Sequence, residues 1–183
     1  MDLLDFFVRS REAQRVLTQT RARLYRLAYA WCHSAALADD LVQETLTKAL
    51  RKSTQLRDPQ ARDAWLFTIL ANCYRDHFRR LRETDDIDEI EISHETTPET
   101  ESSSTEIVNL VRATIARLPK GQRQVVTLVD LEGFSYVEVS QILEVPIGTV
   151  MSRLCRARSA MKAMLLPEMQ QNPAMNHGIR RIK

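Results

Sequence analysis

The sequence predicts an all-α protein, with two small helical domains joined by a flexible acidic linker and a helix-turn-helix in the second domain. Three observations support this fold class. Apolar residues recur at spacings of three and four, no convincing alternating pattern is present, and only four of the 183 residues are glycine. The prolines lie mostly at apparent helix boundaries. A hydrophobic content of 44% is enough for buried cores.

Charge divides the chain into blocks. Residues 1–82 carry a net charge of +6, residues 83–106 carry −10, and residues 107–183 carry +6. We therefore predict a first domain at 1–82 and an acidic flexible linker at 83–104, self-repelling and extended. The alternative for the linker is an acidic mimic of DNA that shields the basic blocks or enters a positive channel of a partner. Basic blocks of this kind suit a polyanionic partner.

Three apolar stripes predict the helices of the first domain. They cover residues 17–31, residues 41–50 and, as the widest, residues 65–81. We expect the second helix to begin near Ala38, with acidic residues in its first turn. Asp58 is a plausible N-cap, with Pro59 as the first residue of a short turn or helix.

The second domain is predicted at residues 105–166, followed by a frayed tail at 167–183. Its first helix begins with Ser104 or Thr105 as N-cap and ends at Pro119. A second helix with apolar residues at 125–131 ends at Gly133. Four helices in about 60 residues form a bundle near the lower size limit for independent stability.

The segment from Gly133 to Lys162 predicts the helix-turn-helix. Ser135 and Glu138 fit a capping box, so its first helix should start directly after Ser135. Pro146 then ends that helix and suits the first turn of the next one.

The second helix of this motif has one apolar side and one side of hydroxyls and guanidiniums. The apolar side consists of Val150, Leu154, Ala157 and Met161, and the polar side of Thr149, Ser152, Arg153 and Arg156. No Asp or Glu occurs between Val145 and Lys162, whereas ordinary solvated helices mix both signs. A basic solvated face is the simpler explanation, but the pattern is also what a major-groove recognition helix needs.

Three segments in order resemble the bacterial RNA polymerase sigma factors of the extracytoplasmic-function (ECF, group IV) type. They are ADDLVQETLTKAL at 38–50, AWLFTILANCYRDHFRR at 64–80, and LPKGQRQVVTLVDLEGFSYVEVSQILEVPIGTVMSRLCRAR at 118–158. The resemblance implies a sigma region 2 domain at 1–82 and a sigma region 4 domain at 105–166. It also implies a transcription initiation factor that binds core RNA polymerase, through the clamp and flap regions of its largest subunits, and promoter DNA. An anti-sigma factor is a further implied partner.

For the first domain, the resemblance implies two sets of site residues. Docking on the polymerase clamp is assigned to Asp40, Gln43 and Glu44. Recognition and melting of the minus-ten element are assigned to Leu56, Asn72, Arg75, Arg79 and Arg82. Asn72 is expected to line a pocket for a flipped base, and the arginines form a stripe suited to phosphates. Leu56 stands where relatives often have an aromatic residue, which weakens stacking there.

For the second domain, the resemblance implies recognition of the minus-thirty-five duplex. The residues assigned to it are Thr149, Ser152, Arg153, Arg156 and Arg158, with Arg158 placed on phosphate. Arginine can fork onto guanine in the major groove. Met151 and Cys155 stand where relatives often have a cation and an aromatic residue, so the preferred sequence is not transferable.

The sequence gives less support to an enzyme or a metal-binding protein. The sequence has no Gly-rich phosphate loop, nucleophile elbow or defined pair of catalytic carboxylates, so we expect no enzyme activity and no cofactor. A zinc site would need Cys32, His33, Cys73 and His77, but Cys73 lies on an apolar stripe and small buried cysteines are common, so we expect no metal.

The longest apolar runs are too short to span a membrane, and the N-terminal residues lack a signal-peptide pattern, so we expect a cytoplasmic protein. The main alternative is a stand-alone helix-turn-helix regulator that binds duplex DNA as a dimer. It would leave residues 1–82 without a role in opening DNA.

Overall fold

A computed structural model of the chain describes residues 11–52, 56, 58–84 and 103–171. Within these ranges the chain forms seven α-helices and no strand, which confirms the predicted all-α class. Most of the predicted linker, residues 85–102, lies outside the described residues, as does the part of the predicted tail beyond residue 171.

Three long helices form the first domain: α1 (Arg11–Cys32), α2 (Ala35–Arg51) and α3 (Arg62–Thr84). Helix α2 begins three residues before the predicted start, because Ser34 is its N-cap and accepts a hydrogen bond from the Leu37 amide at 3.3 Å. The core between the helices is dominated by Leu24, Leu27, Trp31, Leu41, Phe67 and Leu70, each at most 1% exposed.

A short 3₁₀ turn, Pro59–Ala61, leads into α3. The Asp58 carboxylate accepts a hydrogen bond from the Gln60 amide at 2.9 Å, which agrees with its predicted role as a cap.

The second domain contains α4 (Ser103–Ala116), α5 (Lys120–Val126), α6 (Tyr136–Leu143) and α7 (Ile147–Gln171). Helix α5 continues into a π-helical turn, Thr127–Leu131, where the sequence predicts one ordinary helix. Gly133 follows this turn with φ of +78°, a conformation that favours glycine.

The helix-turn-helix has the predicted boundaries. The Ser135 hydroxyl accepts from the Glu138 amide at 3.3 Å, and the Glu138 carboxylate accepts from the Ser135 amide at 2.8 Å, so both halves of the capping box are present. Val150, Leu154 and Ala157 are at most 2% exposed and pack α7 against the core.

Helix α7 extends beyond the predicted end of the domain. It passes through Pro167 and ends at Gln171, so residues 167–171 are helical where the sequence predicts the start of a frayed tail. One proline removes one helical hydrogen bond, and near the end of a long helix this loss does not terminate it at once.

The two domains pack directly against each other. One cluster of buried apolar residues is continuous across both, and its members include Leu70 and Tyr74 of α3 with Val125, Val139 and Leu154 of the second domain. Helix α3 packs on α6, and α1 packs on α4 and α5. The rings of Phe67 and Phe134 meet edge to face at 5.1 Å across the contact.

Candidate nucleic-acid interface

The polar face of α7 is exposed around Ser152 and Arg156. The Ser152 hydroxyl donates to the Thr149 carbonyl at 3.1 Å, and the Arg156 Nε donates to the Ser152 carbonyl at 3.3 Å. Both acceptors belong to α7 itself, and no carboxylate pairs with Arg156 among the described residues. Thr149 is half-buried beside them. The guanidinium therefore remains available for an external acceptor, as the sequence predicts for a recognition helix.

Arg153 lies at the inner edge of this face and is half-buried. A Cβ atom at Gly121 would come within 3.0 Å of the Arg153 guanidinium carbon, so glycine makes room for the arginine at the start of α5. Arg153 also lines a cavity of 180 Å³ with Tyr74, Arg75 and Lys120.

Arg158 is bound by the carboxylate of Asp130 on the π-helical turn. Its Nε and Nη2 donate to the two oxygens of Asp130 at 3.1 and 2.6 Å. These hydrogen bonds raise the pKa of Arg158. The two residues are 28 positions apart, so no local pattern could have revealed the pair. A phosphate contact by Arg158 would have to share or replace Asp130.

The arginines of the α3 stripe have different partners. Arg79 is 68% exposed and pairs with Asp76 at 3.3 Å. Arg75 instead contacts the second domain, where it donates to the Glu144 carboxylate at 2.7 Å and to the Leu143 carbonyl at 3.2 Å. Arg82 lies on the same helix, and Leu56 is half-buried outside any helix.

Asn72 lies on α3, one turn from Arg75 and two turns from Arg79. Its side-chain oxygen is buried and accepts no hydrogen bond from the described residues. A buried polar atom without a hydrogen-bond partner costs free energy, so it usually indicates a strained or functional position.

The predicted docking residues lie together on α2. Asp40 and Gln43 are exposed. Glu44 is half-exposed, pairs with Lys48 at 2.8 Å, and lies 3.8 Å from Arg80 of α3. The hydrogen bond from Lys48 to Glu44 raises the pKa of Lys48. The three polar side chains therefore share one face of α2, as their spacing predicts.

A groove between the domains was not predicted. It has a volume of 610 Å³, and its walls come from α1 (Tyr25, Tyr29), α4 (Arg112, Ile115) and Leu131 of the π-helical turn. Its floor is mostly apolar, and Leu131 is 58% exposed. No sequence pattern predicts this groove, because it combines residues that lie more than 80 positions apart.

The zinc alternative concerns Cys32, His33, Cys73 and His77 of the first domain. No group of three or more His, Cys, Asp and Glu side chains in the described part of the chain is arranged to hold a metal ion. Cys32 and Cys73 are both buried, and burial raises the pKa of both thiols.

None of the helices in the described ranges is both long enough and apolar enough to span a membrane.

Two family models match the chain. The Sigma-70 region 2 model covers residues 16–84, and the Sigma-70 region 4 model covers residues 109–161. The first match contains α2 and α3, and the second contains the helix-turn-helix.

Relatives with established names are similar over most of their length. The chain is 39% identical over 135 residues to the ECF RNA polymerase sigma factor EcfG of Rhodopseudomonas palustris strain TIE-1, covering 72% of this chain and 73% of that protein. It is 32% identical over 161 residues to the RNA polymerase sigma-H factor of Pseudomonas aeruginosa, covering 81% and 83%.

A solved structure has a similar fold. The sigma factor RpoE of Bartonella quintana, determined in complex with the anti-sigma factor NepR, aligns with a TM-score of 0.65 at 27% identity, covering 85% of this chain and 98% of that one. The family matches, the relatives and the shared fold agree with one another. The chain therefore belongs to the ECF RNA polymerase sigma factors, and it is a transcription initiation factor that binds core RNA polymerase and directs it to promoters.

Proposed function

We propose that this sigma factor uses three separate surfaces: α7 for the minus-thirty-five duplex, α3 for the melted minus-ten element, and α2 for core polymerase. The domains carrying them are residues 1–82 and 105–166, tethered by residues 83–104. The observation that carries the proposal is the polar face of α7, which presents Ser152 and Arg156 to solvent with no acidic residue between 145 and 162.

On α7, the base contacts are assigned to Ser152, Arg153 and Arg156. A guanidinium fork matches the O6 and N7 acceptors of guanine, and a hydroxyl serves either a donor or an acceptor on a base edge. Thr149 and Arg158 are assigned to the DNA backbone at the two ends of this contact, where phosphate contacts set the register without reading sequence.

On α3, Asn72 is assigned to a base extruded from the non-template strand. Its buried and unpartnered oxygen supports this role, because a base amino group would supply the missing donor. Arg75, Arg79 and Arg82 follow the backbone of the same strand. Leu56 contributes apolar contact without the stacking that an aromatic ring would add.

On α2, the exposed Asp40 and Gln43 with the neighbouring Glu44 form the surface that meets the polymerase clamp. Asp40→Lys should weaken assembly with core polymerase by about tenfold or more, since a docking carboxylate is replaced by a cation. Glu168→Lys makes the same charge change at an exposed position on α7 and serves as the control. Co-elution with core polymerase measures both, and equal assembly of the two variants would contradict the assignment.

The inter-domain groove supports an anti-sigma factor as a partner. Arg26 and Arg112 border its apolar floor, and neither has a partner among the described residues. An amphipathic segment with carboxylates beside its apolar side chains fits this combination. The related Bartonella sigma factor was solved with an anti-sigma factor. Binding that survives Arg112→Glu unchanged would count against the groove as the docking site.

As an initiation factor the chain itself catalyses no reaction, since nucleotide addition belongs to the polymerase. The protein acts in the cytoplasm. The test is run-off transcription by core polymerase from defined promoters. We expect specific transcripts only when this chain is added. A stand-alone regulator would instead bind its operator tightly without polymerase and would not stimulate initiation.

A further inference from the structure

Helix α7 carries a row of exposed apolar side chains beside its polar face. Ile147 is 44% exposed and Met151 is 53% exposed. Cys155, a free thiol, is exposed as well. Residues four positions apart in a helix lie on one face, so these three side chains follow one another along about 12 Å of the helix axis. The three residues are the apolar row.

The core of the second domain does not need the apolar row. Val150, Leu154 and Ala157 already pack α7 against the core, at no more than 2% exposure. Met151 follows Val150 directly and lies off that face, because successive helical residues are about 100° apart. Single exposed apolar residues are common, whereas three in register on one face form a surface that a partner can cover.

The apolar row borders the polar side chains that are assigned to the duplex. Ser152 follows Met151, Arg156 follows Cys155, and both polar residues are exposed. Each lies about 100° around the helix from its apolar neighbour, so the two lines of side chains run side by side. A duplex that Arg156 contacts therefore also meets the apolar row, since the major groove admits a whole helix.

Thymine presents the group on the base edges that an apolar side chain can recognise. Its major-groove edge carries a 5-methyl group beside the O4 acceptor, whereas adenine, guanine and cytosine carry no methyl group there. Methionine has no strong donor or acceptor, and its flexible thioether adapts to an irregular apolar surface. Met151 therefore favours thymine, just as a guanidinium at the same place would favour guanine.

We propose that Met151 reads thymine in the minus-thirty-five element by covering its 5-methyl group, with Ile147 and Cys155 on either side of this contact. Met151 is then a specificity-determining residue, and the element contains a T·A pair opposite it. This role rests on the proposed contact of α7 with the duplex. It adds the base chemistry that position 151 selects, which the arginines do not determine.

The test replaces thymine with deoxyuridine in both strands of the minus-thirty-five element, in a promoter on which the holoenzyme initiates. Deoxyuridine keeps the base pairs and removes only the 5-methyl groups. Holoenzyme containing the full chain should bind the uracil promoter about fourfold more weakly for each methyl group that Met151 covers, the ratio expected for one buried apolar carbon. Competition between the two duplexes for holoenzyme measures this ratio.

Three variants separate the methyl contact from other effects of uracil on the duplex. Met151→Ala removes the thioether arm and should bind the two promoters equally. Met151→Leu keeps an apolar side chain and should retain the preference for thymine. Leu166→Ala is the matched control, because Leu166 is an exposed apolar residue of the same helix about 22 Å along its axis, and it should behave as the wild type. Both positions are exposed, so none of these variants opens a cavity in the core.

Three results would overturn the role of Met151. They are equal binding of the thymine and uracil promoters by wild-type holoenzyme, an element without any T·A pair, and a uracil effect that persists unchanged in Met151→Ala. A loss of binding in Met151→Ala that is the same on both promoters belongs to the last of these, and it would place Met151 on polymerase or on the DNA backbone.

A promoter with a scrambled minus-thirty-five element separates this role from the proposed function. If wild-type holoenzyme prefers the intact element but does not distinguish thymine from uracil, the role of Met151 is refuted and the assignment of α7 stands. If it binds the intact and the scrambled element equally, the assignment of α7 itself is refuted.

Discussion

At the residue scale, helix α7 combines arginines that have different partners. Arg156 lies along its own helix with no carboxylate partner, whereas Arg158 is bound by Asp130 through two hydrogen bonds. A guanidinium already bound to a carboxylate must give up that partner to contact DNA. Base recognition is therefore expected from Arg153 and Arg156 rather than from Arg158.

Replacing either Arg153 or Arg156 with alanine should weaken promoter binding by about 1–3 kcal/mol, since each can make a bidentate contact with a base. The measurement compares holoenzyme binding to the cognate promoter and to a promoter with a scrambled minus-thirty-five element. The loss should be confined to the cognate element. A uniform loss on both templates would identify the arginine as a phosphate contact.

Asn72→Ala should spare polymerase binding and impair open-complex formation, because the base pocket loses its polar contact. Permanganate reactivity of thymines in the melted region measures this effect. The free energy of unfolding should not fall, since the substitution removes a buried oxygen that has no hydrogen-bond donor among the described residues. Unchanged permanganate reactivity, or a clear loss of stability, would contradict the assignment.

At the scale of helices, local signals account for most boundaries. The capping box at Ser135, the cap at Asp58 and the break at Pro146 are all visible in the sequence, because each acts within three or four residues. The π-helical turn was not predicted, since its apolar spacing resembles that of an α-helix. The pairs Arg158–Asp130 and Arg123–Trp31 were also invisible, because their members are 28 and 92 positions apart.

Ser135→Ala should lower the free energy of unfolding by about 1 kcal/mol, the usual value of an N-cap side chain. The Glu138 amide loses its acceptor, and the hydroxyl no longer contacts the Glu138 carboxylate. Urea denaturation followed by circular dichroism measures the change. Ser152→Ala, an exposed serine within α7, is the comparison and should change stability far less.

Arg23 of α1 binds Asp63 of α3 and Glu132 of the second domain. It therefore joins α1 and α3 to the second domain. Burial alone would raise the pKa of Asp63, but its hydrogen bond and charge interaction with Arg23 outweigh burial and lower it. A lowered folded-state pKa stabilises the fold above the ordinary pKa of aspartate. This contribution is lost as the pH falls through the folded-state value.

Asp63→Asn should therefore reduce the acid dependence of stability. We expect the wild-type protein to lose stability as the pH falls below the ordinary aspartate range, and the variant to lose less over the same interval. Thermal unfolding between neutral and acidic pH measures both. Parallel curves of stability against pH for the two proteins would show that the Asp63 carboxylate does not contribute to the loss of stability at acidic pH.

At the scale of the whole molecule, the charge blocks and the three sequence segments predicted two helical domains with separate tasks. They did not predict that these domains pack on each other, since the contact depends on residues that no periodicity connects. Trp31 and Val125 each belong to an apolar stripe that the sequence explains within its own domain. The groove follows only from the packing of α1 on the second domain.

The central claim is that this chain directs core RNA polymerase to promoters through two separate DNA elements. Sequencing the 5′ ends of transcripts made by the reconstituted holoenzyme tests it most directly. We predict starts that depend on this chain and share two upstream motifs at a fixed spacing. Starts unchanged by the chain, or binding to one palindromic duplex site without polymerase, would contradict the account.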